Sequence, residues 1–214
     1  MWNQLIKKKG DSNDLLNFNS RIHIEHPNAA AVFQANLGLF LSHLYDPSGD
    51  LIILCIGTDR STGDSLGPLT GSKLQQLNLG KTHIFGTLDN PVHAVNLQEI
   101  IQQIENDFKN PFIIALDACL GRSESVGYIS IKEGPLQPGT GVNKNLPAVG
   151  NLHIIGIVNV GGFMEYMVLQ NTRLSLVMKM ADIISQGIWR EIQKQGLVEP
   201  AAAETAYSAE PPLP

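Results

Sequence analysis

The chain has 214 residues, of which 43% are hydrophobic and 16% charged, with a formal net charge of −5 and a pI near 5.6. That length and aliphatic share suit one large domain with a sizeable core and exclude a disordered chain. An acidic balance leaves no surplus of cations to displace condensed counterions, so no nucleic-acid partner is expected. No apolar run approaches the roughly 20 residues that span a bilayer, so no membrane partner is expected either.

Residues 1–20 are polar and Asn-rich and read as a flexible N-terminal arm. Lys7, Lys8 and Lys9 are followed by polar residues rather than by the apolar core of a leader, which predicts a soluble, cytoplasmic protein. Arg21 to Glu25 reads as a short edge strand before Pro27. Phe33, Leu37, Phe40, Leu41 and Leu44 then recur at i, i+4, i+7 and i+8, one face of a helix. After the turn Asp46–Asp50, Leu51 to Gly57 is a continuous apolar run, as in a parallel strand covered on both faces.

A Gly- and Ser-rich loop follows, and a helix is expected over Asp64 to Leu77. His83 to Leu88 reads as a second strand. Asn96 and Glu99 carry the spacing of a capping box before an amphipathic helix of Leu97, Ile100, Ile101, Ile104 and Phe108. Phe112 to Ala118 is a third apolar strand, Val126 to Lys132 alternates like a half-exposed or edge strand, and Leu152 to Val158 is another central strand. A long helix is expected over about Asn171 to Gln195, and 196–214, rich in Ala, Glu and Pro, reads as a disordered tail. Strands alternating with helices define one α/β domain over 21–195, a mostly parallel sheet with helices on both faces.

In such sheets sites form beyond the carboxyl ends of the strands. Three glycine-rich segments follow strand-like runs: Gly57–Pro68, Asp117–Ser123 and Gly134–Lys144. The first lacks the Gly-Lys-Ser/Thr ending of a phosphate loop and carries acids, Asp59 and Asp64, where a phosphate would want positive charge. Asp64 has a second reading as a helix cap. Asp117 ends an apolar run and is expected to be partly buried, so its charge needs partners or a raised pKa. Two carboxylates in one cleft resist double ionisation, which leaves one as an acid and the other as a base.

Arg122 is a candidate partner of Asp117 or of a substrate carbonyl. Cys55 and Cys119 read as buried reduced thiols. The six histidines show no metal-binding spacing, so no metal and no cofactor are expected.

The run GTDRSTGDSLGP resembles the first active-site loop of the bacterial germination protease, with Asp64 before Leu66, Gly67 and Pro68. ALDACLGRS resembles that family's second loop at Asp117, Ala118, Arg122 and Ser123, and LQPGTGVNKN a third segment at Pro138, Gly139, Thr140, Gly141 and Val142. The short length and the wording of all three loops are most similar to the YyaC group of sporulation proteins, small relatives of that protease.

The resemblance implies a three-layer α/β/α fold, phosphorylase/hydrolase-like and shared with hydrogenase maturation proteases, in a spore-forming bacterium with a cytoplasmic or forespore location. It implies an aspartic endopeptidase with Asp64 and Asp117 as the essential pair, acting on a peptide or protein such as a spore protein. Asp59, Arg122, Ser123, Gly139, Thr140 and Gly141 are then expected to line the substrate cleft. The third loop holds no histidine of the kind with which hydrogenase maturation proteases grip nickel. The short chain, without an evident propeptide site, leaves open a catalytically inactive binding or regulatory module, a metal-assisted peptidase, and assembly as a homo-oligomer.

Overall fold

The computed structural model describes residues 20–138 and 146–197. In chain order the elements are β1 (Arg21–His23), α1 (Ala29–Leu44), β2 (Leu51–Cys55), a 3-10 turn (Gly63–Ser65), α2 (Leu66–Gln75), β3 (His83–Phe85), α3 (Leu97–Asp107), β4 (Phe112–Gly121), a second 3-10 turn (Ser123–Ser125), β5 (Tyr128–Glu133), β6 (Leu152–Val160), α4 (Glu165–Gln170) and α5 (Leu174–Lys194). One six-stranded sheet has the order β1-β5-β6-β4-β2-β3. The β2–β3, β2–β4 and β4–β6 pairs are parallel, whereas β5 pairs antiparallel with both β1 and β6. This is the expected α/β architecture with a mostly parallel sheet.

Alternation along the strands divides the core between two faces. Leu51, Ile53, Cys55, Ile114, Leu116, Ile129, Ile131, Leu152 and Ile154 turn toward α1, α2 and α5, where they meet Phe33, Leu37, Leu74, Ile184 and Ile188. Ile52, Leu54, Ile113 and Ala115 turn the other way, toward Leu97 and Ile104 of α3. Helices therefore cover both faces. Burial of each large aliphatic side chain contributes roughly 1.5–3 kcal/mol, which explains why β2, buried at all five positions, is a run without polar residues.

Several local expectations change. β5 is not at the edge: β1 covers it, and Ile129, Ser130 and Ile131 are buried. β3 stops at Phe85, because Gly86 takes φ +88°, and its hydrogen would clash as a Cβ with the Cys55 carbonyl oxygen. Asn96 does not cap α3 with its side chain. Its Oδ1 accepts from the His93 N–H at 2.8 Å and its Nδ2 donates to the Pro91 carbonyl at 3.0 Å, so it closes the preceding loop instead. The last long helix begins at Leu174, and the residues before it form the separate short helix α4, which the sequence pattern did not single out.

Candidate active site

β2 sends the chain outward through α2 to β3, and α3 brings it back to β4 on the other side of β2. This reversal opens a crevice beyond the carboxyl ends of β2 and β4, the position at which parallel sheets hold ligands. The two acids reach it differently. Asp64 lies in the 3-10 turn that runs straight into α2. The helix thus starts two residues later than expected, and no side-chain capping bond closes it, so the capping role does not account for Asp64.

Its loop is pinched at the base, where the Thr58 N–H donates to the Asp64 carbonyl at 3.1 Å. Close packing demands glycine on both sides of this pinch. A Cβ on Gly57 (φ +142°) would run into the Asp64 carbonyl oxygen, and one on Gly67 into the Ile56 carbonyl oxygen.

Asp117 does not end its strand. β4 continues to Gly121, because β6 keeps supplying partners: Asp117 pairs with Ile155, Ala118 with Gly156 and Gly121 with Val160. On its other side the ladder with β2 stops at Leu116, so Asp117 occupies the first position where β4 has lost that neighbour. It is partly buried, as is Asp64, and its Oδ1 accepts from the Ala118 N–H at 2.8 Å.

Burial, and secondarily the Asp64 charge, push the Asp117 carboxyl well above the usual carboxylate range, against the pull of the Ala118 N–H. Burial also raises Asp64, but the Thr58 N–H and the charge of His93 draw it back. The pair is therefore electrostatically coupled. Both carboxyls are displaced toward the protonated form, with burial as the leading cause in each.

The other sequence candidates fall elsewhere. Asp59 is exposed, with its Oδ1 3.5 Å from the Thr58 hydroxyl. Arg122 and Ser123 are exposed, and the extra strand residues place Arg122 roughly 16 Å along the chain from Asp117, so Arg122 does not pair with that acid. The Ser123 hydroxyl turns to its neighbour Glu124 at 3.4 Å. Gly139, Thr140 and Gly141 lie outside the described residues. The stretch that leads to them starts at the opposite end of the sheet, because β5 runs antiparallel: Gly134 N–H donates to the Asn151 carbonyl just before β6 begins.

Cys119 is half-buried, and burial together with the Asp117 charge pushes its thiol up to about 11. Cys55 is fully buried and pushed up to about 12. Neither is poised as a thiolate nucleophile.

His93 is a residue that the sequence reading treated as a non-ligand, to be recruited from afar only in the metal-assisted alternative. Val92 continues the β2 ladder as a parallel bridge with Ile56, and its carbonyl accepts from the Gly57 N–H at 2.8 Å. His93, the next residue, therefore arrives beside the Thr58–Asp64 pinch. The available signal was Pro91 and Asn96 flanking the histidine, a bracketed loop rather than a free one. Among the described residues no group of three His, Cys, Asp or Glu is arranged to hold a metal ion, and no helix is long and apolar enough to cross a membrane.

Fold and crevice thus define a three-layer α/β protein with a coupled pair of partly buried carboxylates at its topological switch point. Its residues 21–187 match the family described as Protein of unknown function (DUF1256), and the chain belongs to that family. It is 56% identical over 166 residues to the "Uncharacterized protein YyaC" of Bacillus subtilis (strain 168), covering 78% of this chain and 81% of that protein. Among solved structures, a [NiFe] hydrogenase maturation protease, HycI, from Thermococcus kodakarensis KOD1 superposes with a TM-score of 0.49 at 13% identity, over 73% of this chain and 98% of the other.

Proposed function

We propose that this protein is a sporulation-associated peptide-bond hydrolase in which Asp64 and Asp117 work as a base and an acid without a metal. The observation that carries this reading is the coupled pair: two partly buried carboxylates, Asp64 from the 3-10 turn before α2 and Asp117 from β4, both raised by burial and Asp117 also by the Asp64 charge. Ionised Asp64 takes a proton from water as the water oxygen bonds to the scissile carbonyl carbon. Protonated Asp117 donates its proton to the amide nitrogen as the C–N bond breaks. The cycle ends with Asp64 protonated and Asp117 ionised, and exchange with solvent restores both.

The substrate class is a peptide or protein segment, and the likeness of the loops to the germination protease supports a spore protein in the forespore as that substrate. The surroundings support an apolar side chain next to the scissile bond. Phe163, Met164, Tyr166 and Met167 are all exposed where β6 runs into α4, and Leu169 of α4 packs against Gly63 beside Asp64.

The test is an assay of denatured and small basic protein substrates with wild type, Asp64→Asn, Asp117→Asn and added chelator. Cleavage by the wild type, lost in both variants and indifferent to chelator, is the expected result. Cleavage that survives both substitutions removes the mechanism, and cleavage abolished by chelator replaces it with a metal-assisted one. No cleavage by wild type between pH 4 and pH 9, at about that range, would favour a binding module on the same fold.

A further inference from the structure

α4 is a helix that cannot hold itself in place. It has six residues, none of them buried, and so short a helix is marginal in water on its own. The chain enters it through two left-handed positions, Gly162 at φ +126° and Met164 at φ +49°, which leave Phe163 and Met164 exposed. Left-handed backbone at a methionine is strained, so contacts further along must hold this segment.

Those contacts are polar. Asn159 Nδ2 donates to the Val168 carbonyl at 3.3 Å and to Thr172 Oγ1 at 3.2 Å, and the Thr172 hydroxyl donates to the same carbonyl at 2.9 Å. Asn159 Oδ1 accepts from the Val160 N–H at 2.8 Å, which fixes the amide. Thr172 is buried, so its hydroxyl makes both bonds away from water. The β4–β6 ladder shifts register here: Cys119 pairs with Ile157 but Leu120 with Asn159. The skipped Val158 makes a bulge, a device by which a strand re-aims a side chain. Strict alternation would turn Asn159 to the face of Ile155, which packs toward α3, and away from Val158, which packs with α5. The bulge puts Asn159 out of that alternation, and its amide reaches α4.

The end of α4 lies directly on the turn that carries Asp64. A Cβ on Gly63 would come within 2.8 Å of Leu169 Cδ2, 2.9 Å of Thr172 Oγ1 and 3.0 Å of the Leu169 carbonyl oxygen. Gly63 precedes Asp64 in the 3-10 turn, and the Thr58 N–H holds the Asp64 carbonyl at the base of the loop. We propose that Asn159 and Thr172 are positioning residues for Asp64: their bonds seat the end of α4 on Gly63 and so hold the Asp64 turn in its place beside Asp117. This deepens the proposed mechanism, on which it rests, by naming what fixes one acid of the pair. Neither side chain carries a charge. Asp117 of β4 and His93 of the β3–α3 loop are the charged groups coupled to Asp64. Glu165 of α4 accepts from the Gly162 N–H at 3.1 Å, Lys73 of α2 pairs with Asp182 of α5 at 2.7 Å, and Asp59, Arg60 and Arg173 are exposed. All of these remain when Asn159 or Thr172 is replaced, so a moved Asp64 titration reports its place and burial.

The test reads titration and not turnover. The Asp64 side-chain carboxyl carbon is followed by NMR across pH in Asp-labelled full-length protein, as wild type, Thr172→Val, Thr172→Ser, Asn159→Ala and, as a control, Ser185→Ala. Ser185 is a second buried hydroxyl, bonded to the Asp182 carbonyl at 3.3 Å within α5. Burial is the leading cause that raises Asp64. Release of α4 lets water reach the turn, so the Asp64 midpoint is expected to fall by about one pH unit in Thr172→Val and in Asn159→Ala. Thr172→Ser, which keeps the hydroxyl, and Ser185→Ala are expected to keep the wild-type midpoint. An Asp64 midpoint that falls in neither Thr172→Val nor Asn159→Ala overturns the proposal. So does an equal fall in Ser185→Ala, which would mark general loosening of the fold. Should one of the two variants fail to fold, the other carries the test. A fallen midpoint together with normal cleavage by Asp64→Asn would leave the positioning role standing and sink the hydrolase reading. An unmoved midpoint with cleavage lost in Asp64→Asn would do the reverse.

Discussion

The two ends of the sheet use aspartate in opposite ways. At the amino end, beside β2, Asp46 and Asp50 serve the chain: Asp46 Oδ1 accepts from the Ser48 N–H at 2.9 Å and Asp50 Oδ2 from the Lys109 N–H at 3.0 Å. The Ser48 bonds hold Asp46 below its ordinary range. At the carboxyl end Asp64 and Asp117 are sunk into the crevice and displaced the other way, with burial as the leading cause for both. Acids that finish turns gain from their ionised form, whereas acids in the crevice are held where ionisation is costly. Proteins keep such costs mostly at working sites.

The largest expected effect that tests this contrast is on turnover. Asp64→Asn and Asp117→Asn should each lower cleavage by about 10²–10⁴-fold, while Asp46→Asn and Asp50→Asn leave it unchanged. Equal effects at both ends, in a steady-state assay, would break the contrast. Next comes the packing beneath the crevice. Gly67→Ala forces a Cβ onto the Ile56 carbonyl oxygen and should destabilise by about 3 kcal/mol by the scale of overpacking. Gly134→Ala, at the other end, meets no atom within 4 Å and bears only its φ of +91°, so about 1 kcal/mol is expected there. Urea midpoints measure both.

A stability-versus-pH comparison sharpens the electrostatic side. The folded-state proton affinity of Asp117 is raised above its unfolded value, so the native state binds the extra proton. The stability tied to that proton is present below the unfolded value, near 4, and is lost as pH rises through the folded one. Asp117→Asn, which cannot ionise, should therefore raise Tm at neutral and higher pH by about 2–4 °C, with the gain vanishing near pH 4. A Tm lowered at all pH values would show that the carboxylate is structurally paired. As small as the Gly134→Ala effect is that of Asp50→Ala, which should cost about 1 kcal/mol through the Lys109 N–H and show no such pH signature.

Much of this was legible residue by residue. Leu51–Cys55 and Phe112–Leu116 announce central strands because both faces are buried, and Phe33, Leu37, Phe40 and Leu41 announce a helix because only one face is. Asp64 and Asp117 stand out as carboxylates next to such runs. Less legible were the length of β4 and the direction of β5. Continuation of β4 past Asp117 depends on β6 as a partner more than 30 residues later in the chain, and no local pattern records a partner. The antiparallel turn of β5 moved the start of the third loop away from the crevice and left Arg122 exposed beyond a longer strand.

By itself the sequence determined the apolar periodicities, the positions of the acids and the glycines that permit close approach, since these depend on residue type and neighbours a few places away. Tertiary structure alone decided that Asp64 and Asp117 come together beyond the carboxyl ends of β2 and β4 and that both carboxyls are raised there. Burial and mutual charge are set by segments brought together from separate crossovers of the sheet, and electrostatic coupling follows distance in space rather than distance along the chain.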